Sequence, residues 1–347
     1  MRLKTIILAM AAVGLASGCV TYKASIPTSN DNQPQTLQVL PALYDEEIGV
    51  QIVVSDSSNA TAQYGALGAL VGAIVDSAIN NSRAKKAERR AEVIRELTLN
   101  YSLQDNFEAA IGVADSGQRW RIAGVSETTA DTDINALVAN AFDSSDVDLV
   151  VLLTGNYQMT PTVDQVTLGI RQTIYPRSLY EPGGRPKAAP TGRSFMYHSP
   201  VRPLAYREYL DGEKEQVMQD IRDEYEQSMQ LEPDNADKLA KSMEKELEEI
   251  EESTQIPENI AIRETWPQVL VGGYLDQAVA HIQLMIEHDW SDPVTDEWNV
   301  DTQEAFSYVA STGIRITAKG QKIAELNEQT IYRLKHGDIV SVPTDAQ

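Results

Sequence analysis

The chain has 347 residues and a formal net charge of −22 at pH 7, from 29 Lys and Arg against 51 Asp and Glu. A chain of this length buries one large core or two ordinary ones. The charge argues against nucleic acid as a partner, because phosphates require a basic surface, and against broad adhesion to an anionic membrane face. The single Cys excludes internal disulfides and CxxC metal sites.

The N-terminal residues are typical of a secretory signal peptide. Arg2 and Lys4 form a short basic start, residues 5–15 form an apolar run, and small residues lead to Gly18 and Cys19. The apolar run is too short to span a bilayer permanently. Cleavage between Gly18 and Cys19 would leave 329 residues (347 less 18). Their net charge would be −24, because residues 1–18 carry two bases and no acid.

The sequence LASGC at residues 15–19 resembles the bacterial lipobox. In that family the Cys sulfur takes a diacylglyceryl group, the signal peptide is cut just before it, and the new amine is acylated. The resemblance implies lipidation of Cys19 and a membrane anchor, since each buried CH₂ contributes about 0.8 kcal/mol. Val20 stands where lipoproteins of the inner membrane commonly have Asp, which implies a proteobacterial outer-membrane lipoprotein facing the periplasm. The alternative is an ordinary signal peptide with a chance Cys.

The residues after the signal peptide divide into a tether and an α/β domain. Residues 19–40 are predicted to hold the lipidated Cys and a flexible tether, since Thr, Ser, Asn, Pro and Gln dominate there. Residues 41–210 alternate between strand and helix patterns, which predicts an α/β (α+β) fold with a mixed sheet packed by helices. The order is similar to that of TolB-type and curli-secretion-type periplasmic domains. The predicted strands are 48–54, 119–125, 148–157, 166–174 and 194–198, and the predicted helices are 103–111 and 132–142.

A glycine-rich segment, YGALGALVGAIV at residues 64–75, carries Gly65, Gly68 and Gly72 within a helical apolar pattern. Each Gly costs a helix up to about 1 kcal/mol relative to Ala. One interpretation is a close-packing stripe that enters a membrane or self-associates. The other is a buried helix pressed onto a sheet, and the length of only twelve residues favours it.

Residues 211–256 are predicted to form a protruding acidic helical hairpin. Residues 211–253 hold 16 acids against 5 bases, with two narrow apolar stripes separated near Pro233. The candidate partner-docking residues are the acids that end the second helix, Glu248, Glu249, Glu251 and Glu252. Residues 257–311 are predicted to return to the core through a helix at 274–288. Residues 312–347 are predicted to form a small C-terminal β unit, either a separate module or an addition to the sheet.

The motifs of common enzymes and metal sites do not occur in the sequence. There is no HExxH, GxSxG, GxGxxG or phosphate-loop pattern, so we predict no catalytic residue, no metal and no cofactor. The sequence therefore favours a non-enzymatic envelope lipoprotein that docks a protein partner or stabilises an assembly. One alternative is a small-molecule or glycan-binding lipoprotein, with a pocket where the sheet meets helix 274–288. A remote alternative is a hydrolase that uses carboxylates.

Overall fold

The computed structural model describes residues 35–43, 48–50, 83–114, 120–125, 133–188, 192–291, 302–310 and 313–344. The strands are β1 (Gln35–Leu43), β2 (Gly49–Val50), β3 (Trp120–Val125), β4 (Leu149–Met159), β5 (Val166–Pro176), β6 (Arg193–His198), β7 (Gln303–Val309), β8 (Arg315–Leu326), β9 (Gln329–Leu334) and β10 (Ile339–Pro343). The helices are α1 (83–98), α2 (Leu103–Gly112), α3 (Ile134–Ser144), α4 (Glu213–Leu231), α5 (Ala236–Glu252), α6 (Glu258–Thr265) and α7 (Gln268–Ser291).

The strands of the described residues form one mixed sheet. Its order is β3-β1-β4-β5-β6-β10-β9-β8-β7, and β2 also pairs with β4. β1 is parallel to both of its neighbours, β4 to β6 form an antiparallel meander, and β10 is parallel to β6 and antiparallel to β9. The predicted α/β class with a mixed sheet is therefore confirmed, and the C-terminal strands add to the sheet.

Two layers of apolar side chains account for the continuous apolar run of β4. Val151 and Leu153 belong to the core on one face, under α2 and α7, whereas Val150 and Leu152 face α3. A strand covered on both faces has no polar alternation. The largest buried side chains of the first core include Trp266 and Trp290.

The C-terminal part of the sheet curls back on itself. Phe306 of β7 stacks on Tyr332 of β9 with ring centroids 4.1 Å apart, across the intervening strand β8. The two rings meet over Gly320 of β8, where a Cβ would lie 2.9 Å from the Tyr332 Cβ. Tyr308 of β7 reaches the ring of His198 on β6, at 4.9 Å. A third core forms inside this curl.

Helix α7 is the main helix of the first core. By length and composition alone, its residues Gln268–Trp290 are the one part of the described chain that could cross a membrane, and 44% of the apolar window is buried. Buried apolar side chains such as Leu275, Ile282 and Ile286 are part of the first core. The core helix of a folded protein passes the same test.

Two sequence predictions need correction. The predicted tether 19–40 is wrong for residues 35–40, because Leu37, Val39 and Leu40 lie buried in β1. Pro41 and the Gln residues conceal this strand, yet pairing with β3 ends at Val39, before the Pro that cannot donate to a ladder. The predicted helix 274–288 begins earlier, at Gln268, and the sequence analysis missed β7 and α6.

Candidate functional site

The acidic hairpin formed by α4 and α5 packs on itself. Both helices are described throughout, and Val217 and Ile250 are their only buried side chains. The predicted stripes are half-buried elsewhere, and the Tyr225 hydroxyl donates to Glu246 across the pair at 3.0 Å. The short 3-10 turn Pro233–Asn235 joins the helices. The two helices therefore pack mainly on each other, while Tyr225 also lies within electrostatic range of Arg89 on α1.

The base of the hairpin is held to the body by one arginine. Arg207 donates to both carboxylate oxygens of Glu213, at 2.6 and 2.7 Å, and its Nε lies 3.1 Å from an oxygen of Glu264 on α6. The Arg207 hydrogen bonds, with one from the Leu210 N–H, lower the pKa of Glu213 to about 2. Ile256 N–H donates to the Arg207 carbonyl at 2.9 Å, which brings the entering and leaving chains together. The hairpin thus has a fixed root.

The four candidate docking acids, Glu248, Glu249, Glu251 and Glu252, are exposed at the root end of α5. No basic residue lies in the last turn, so these carboxylates add to the negative end of the helix dipole. Lys214 of α4 offsets part of this charge, since its Nζ donates to the backbone carbonyls of Glu251 and Ser253 at 2.5 and 2.9 Å. The net result is a compact acidic surface suited to a cationic group.

An exposed apolar side chain lies in the segment that enters the hairpin at its root. Leu210 is 66% exposed and stands three residues before Glu213, whose carboxylate its own N–H binds. Tyr206 is 47% exposed in the same segment. Interfaces combine apolar anchors with polar rims. The root of the hairpin therefore offers both components, and the tip also exposes Leu231, at 76%, beside the exposed acids Glu232 and Asp234.

A buried polar network ties the end of α7 to the sheet. Arg193 of β6 forms an ion pair with Asp289, and both side chains are almost fully buried. Gln172 Nε2 donates to Asp289 Oδ2 at 3.1 Å, and Trp290 Nε1 donates to Gln172 Oε1 at 2.8 Å. All of these groups are shielded from solvent, so we assign them a structural role. Neither this network nor the Arg207 root was found in the sequence, because Arg193–Asp289, Gln172–Asp289 and Arg207–Glu264 are far apart along the chain.

The four histidines are spread over the fold. His198 and His281 are buried, His288 Nδ1 lies 3.1 Å from an Arg333 nitrogen, and the exposed His336 lies 3.1 Å from Asp338. The Asp338 hydrogen bond raises the pKa of His336. Over the described ranges, no group of three or more His, Cys, Asp or Glu is placed to hold a metal ion.

The ligand-binding alternative placed a pocket between the sheet and helix 274–288. The structure fills that interface with buried side chains such as Leu275, Ile282 and Met285. An open cleft of about 450 Å³ lies instead beside α3 and β1. Its lining residues are Gln38, Leu40, Leu137, Asn140, Ala141, Asp143 and Ser144.

The remaining candidate residues lie outside the described part of the chain. They are Gly18, Cys19, Gly65, Gly68 and Gly72, so lipidation and the glycine stripe stay predictions. The sequence matches no protein-family model and no curated protein.

Proposed function

We propose that this chain is a lipid-anchored lipoprotein on the periplasmic face of the outer membrane, where it docks a protein partner without catalysing a reaction. The anchor follows from the lipobox-like sequence ending at Cys19. The docking element is the hairpin α4–α5, and its rigid root with four exposed carboxylates is the observation that carries the proposal.

The expected partner surface is basic, because the four glutamates are exposed and, of the four, Glu249 alone has a basic partner among the described residues, Lys245 at 3.3 Å. Complementary charges speed encounter and fix orientation more than they add affinity. Exposed charges act over about one Debye length, ~8 Å at physiological salt. Docking is therefore expected to weaken as salt rises.

The test is capture of a partner from envelope membranes by the tagged mature protein. A variant with Glu248, Glu249, Glu251 and Glu252 changed to Lys should lose most of the salt-sensitive capture. The control reverses four exposed acids of α4 instead, namely Asp220, Asp223, Glu224 and Glu226. Both variants change the net charge equally, so equal loss from both would contradict a local docking surface at the root.

A second variant separates docking from folding. Residues 211–253 are replaced by a short Gly/Ser linker, which the adjacent chains at Arg207 and Ile256 allow. The body should keep a cooperative thermal transition, because the hairpin helices bury little outside their own interface. Each doubling of the loop length changes the free energy of loop closure by only about 0.6 kcal/mol. A body that no longer folds would place the hairpin in the main core.

A further inference from the structure

The C-terminal strands β7 to β10 join the rest of the sheet through one short pairing. β6 and β10 run parallel and pair over three residues, Phe195 to Tyr197 with Ile339 to Ser341. At its end the Ser194 N–H donates to the Asp338 carboxylate at 2.9 Å, and beside it Ile331 of β9 and Ile339 of β10 are buried in the first core. We call this β6–β10 pairing the seam.

His281 lies against one face of the seam. The residue is fully buried, and its Nδ1 lies 2.9 Å from the Ser341 hydroxyl of β10. That hydroxyl donates to Gln329 Oε1 of β9 at 2.9 Å, so the hydrogen-bond network assigns the ring proton to Nδ1. Nε2 then carries no proton, and it is buried with no hydrogen-bond partner among the described residues. The ring of Tyr197 on β6 faces His281 at 5.4 Å.

His198 lies against the other face of the seam. It directly follows Tyr197 on β6, and successive side chains of a strand point to opposite faces. It is 3% exposed, its ring lies 4.9 Å from the ring of Tyr308, and neither ring nitrogen has a hydrogen-bond partner in the described ranges. The seam is therefore bounded on both faces by a buried imidazole.

The surroundings of both rings favour the neutral form. The contacts of the two rings with described residues include the hydroxyl of Ser341 and the rings of Tyr197 and Tyr308. Burial, together with the charge of Asp338, raises the pKa of the Tyr308 phenol. Burial lowers the pKa of both His198 and His281 to about 4.

We propose that the seam is an acid-sensitive joint, at which protonation of His198 and His281 opens the β6–β10 pairing and separates β9 and β10 from β6 and from the first core, where Ile331 and Ile339 are buried. A buried imidazolium would need acceptors for two N–H groups, and the described surroundings supply none for His198. Opening the seam exposes both rings to water. Release would also expose the edge of β6, a surface that accepts an added strand.

The direction of the pH effect follows from proton binding. A solvated imidazole has a pKa of about 6.5, so the open state binds protons that the closed state rejects. The joint is therefore closed above pH 6.5 and weakens as the pH falls towards 4. Each histidine raises the opening constant about tenfold per pH unit, up to about 300-fold, over this interval.

The test is hydrogen exchange of the mature chain, residues 19–347, between pH 7 and pH 4, corrected for intrinsic exchange rates. Amides of β6, β9 and β10 should lose protection as the pH falls, while β1, β4 and β5 stay protected. The double variant His198→Phe/His281→Gln should remove most of this pH dependence. The control His336→Gln changes an exposed histidine and should keep it.

Three results would overturn the joint. One is an unchanged transition in the double variant, and another is simultaneous loss of protection in β1, β4 and β5. If the double variant fails to fold, the single variants are used. Each should lower the acid-induced increase of the opening constant by up to about 300-fold. NMR titration of the wild-type rings provides the third check, since a pKa near 6.5 for both histidines would exclude the mechanism.

Discussion

The buried pair of Arg193 and Asp289 leads to a stability prediction whose size follows from burial. Arg193 is 4% exposed in its side chain and Asp289 is 0% exposed. Asp289→Ala removes the carboxylate that neutralises the guanidinium and also breaks the hydrogen bond from Gln172. Removing one member of a buried pair costs about 3–5 kcal/mol, because a charge then stays buried without its partner. Whole-protein stabilities are about 5–15 kcal/mol, so the loss would be a large fraction.

Urea unfolding followed by tryptophan fluorescence measures this loss, and Trp290 lies beside the altered site. With a slope of about 3 kcal/mol/M, the midpoint should fall by about 1–2 M. The double variant Arg193→Met/Asp289→Leu should recover most of the loss, since apolar replacement of a buried pair is often neutral or stabilising.

The matched control is Glu249→Gln, which breaks an exposed pair with Lys245, where both side chains are more than 60% exposed. Such pairs contribute about 0–1 kcal/mol. A loss for Asp289→Ala no larger than that of the control would refute the assignment of a buried charge pair. A double variant as unstable as Asp289→Ala would show that packing, rather than charge, sets the loss.

Three further changes test the fold and the anchor. Gly155→Ala should lower the free energy of unfolding by about 1–3 kcal/mol in urea titrations, because the new Cβ would lie 2.2 Å from the Gly169 carbonyl oxygen. The control Gly169→Ala should change the free energy of unfolding little, because its new Cβ has no atom within 4 Å. Trp266→Phe should cost about 1–3 kcal/mol by thermal unfolding, since the buried indole N–H donates to the Val163 carbonyl at 2.6 Å, and a variant of wild-type stability would contradict that bond. Cys19→Ser should move the protein from the membrane fraction to the soluble periplasm or leave the precursor uncleaved, and a processed, membrane-bound variant would exclude Cys19 as the anchor.

The sequence predicted the elements whose patterns are local. The antiparallel β4–β5 hairpin follows from a continuous apolar run and an alternating one on either side of a short turn. The hairpin α4–α5 follows from two apolar stripes broken near Pro233. In contrast, Gly272 and Gly273 concealed the first turns of α7, although neither position has an atom within 4 Å of an added Cβ. The helix tolerates these glycines because tertiary packing overrides weak helix propensity.

The seam shows why the long-range strand pairings could not be predicted from the sequence. β6 and β10 are parallel strands about 140 residues apart, joined through the hairpin, α6, α7 and three further strands. Parallel partners carry no turn signal in the sequence between them. His198 and His281 likewise have no visible relation in the sequence. Only the folded sheet places them on opposite faces of the β6–β10 pairing.

The acidic end of α5 breaks a local rule of helix stability. Acids near a helix C-terminus oppose the dipole, each by about 0.3–1 kcal/mol at an exposed site. Lys214 and the Arg207 root hold the segment in place despite this conflict. Apart from the exposed Lys245–Glu249 pair, the described contacts give these carboxylates no folding role, and such local conflicts are expected at functional sites. Reversal of the four glutamates should therefore raise the melting temperature or leave it unchanged while partner capture falls. If both fell together, the glutamates would belong to the fold, and the docking surface would have to be sought elsewhere on the molecule.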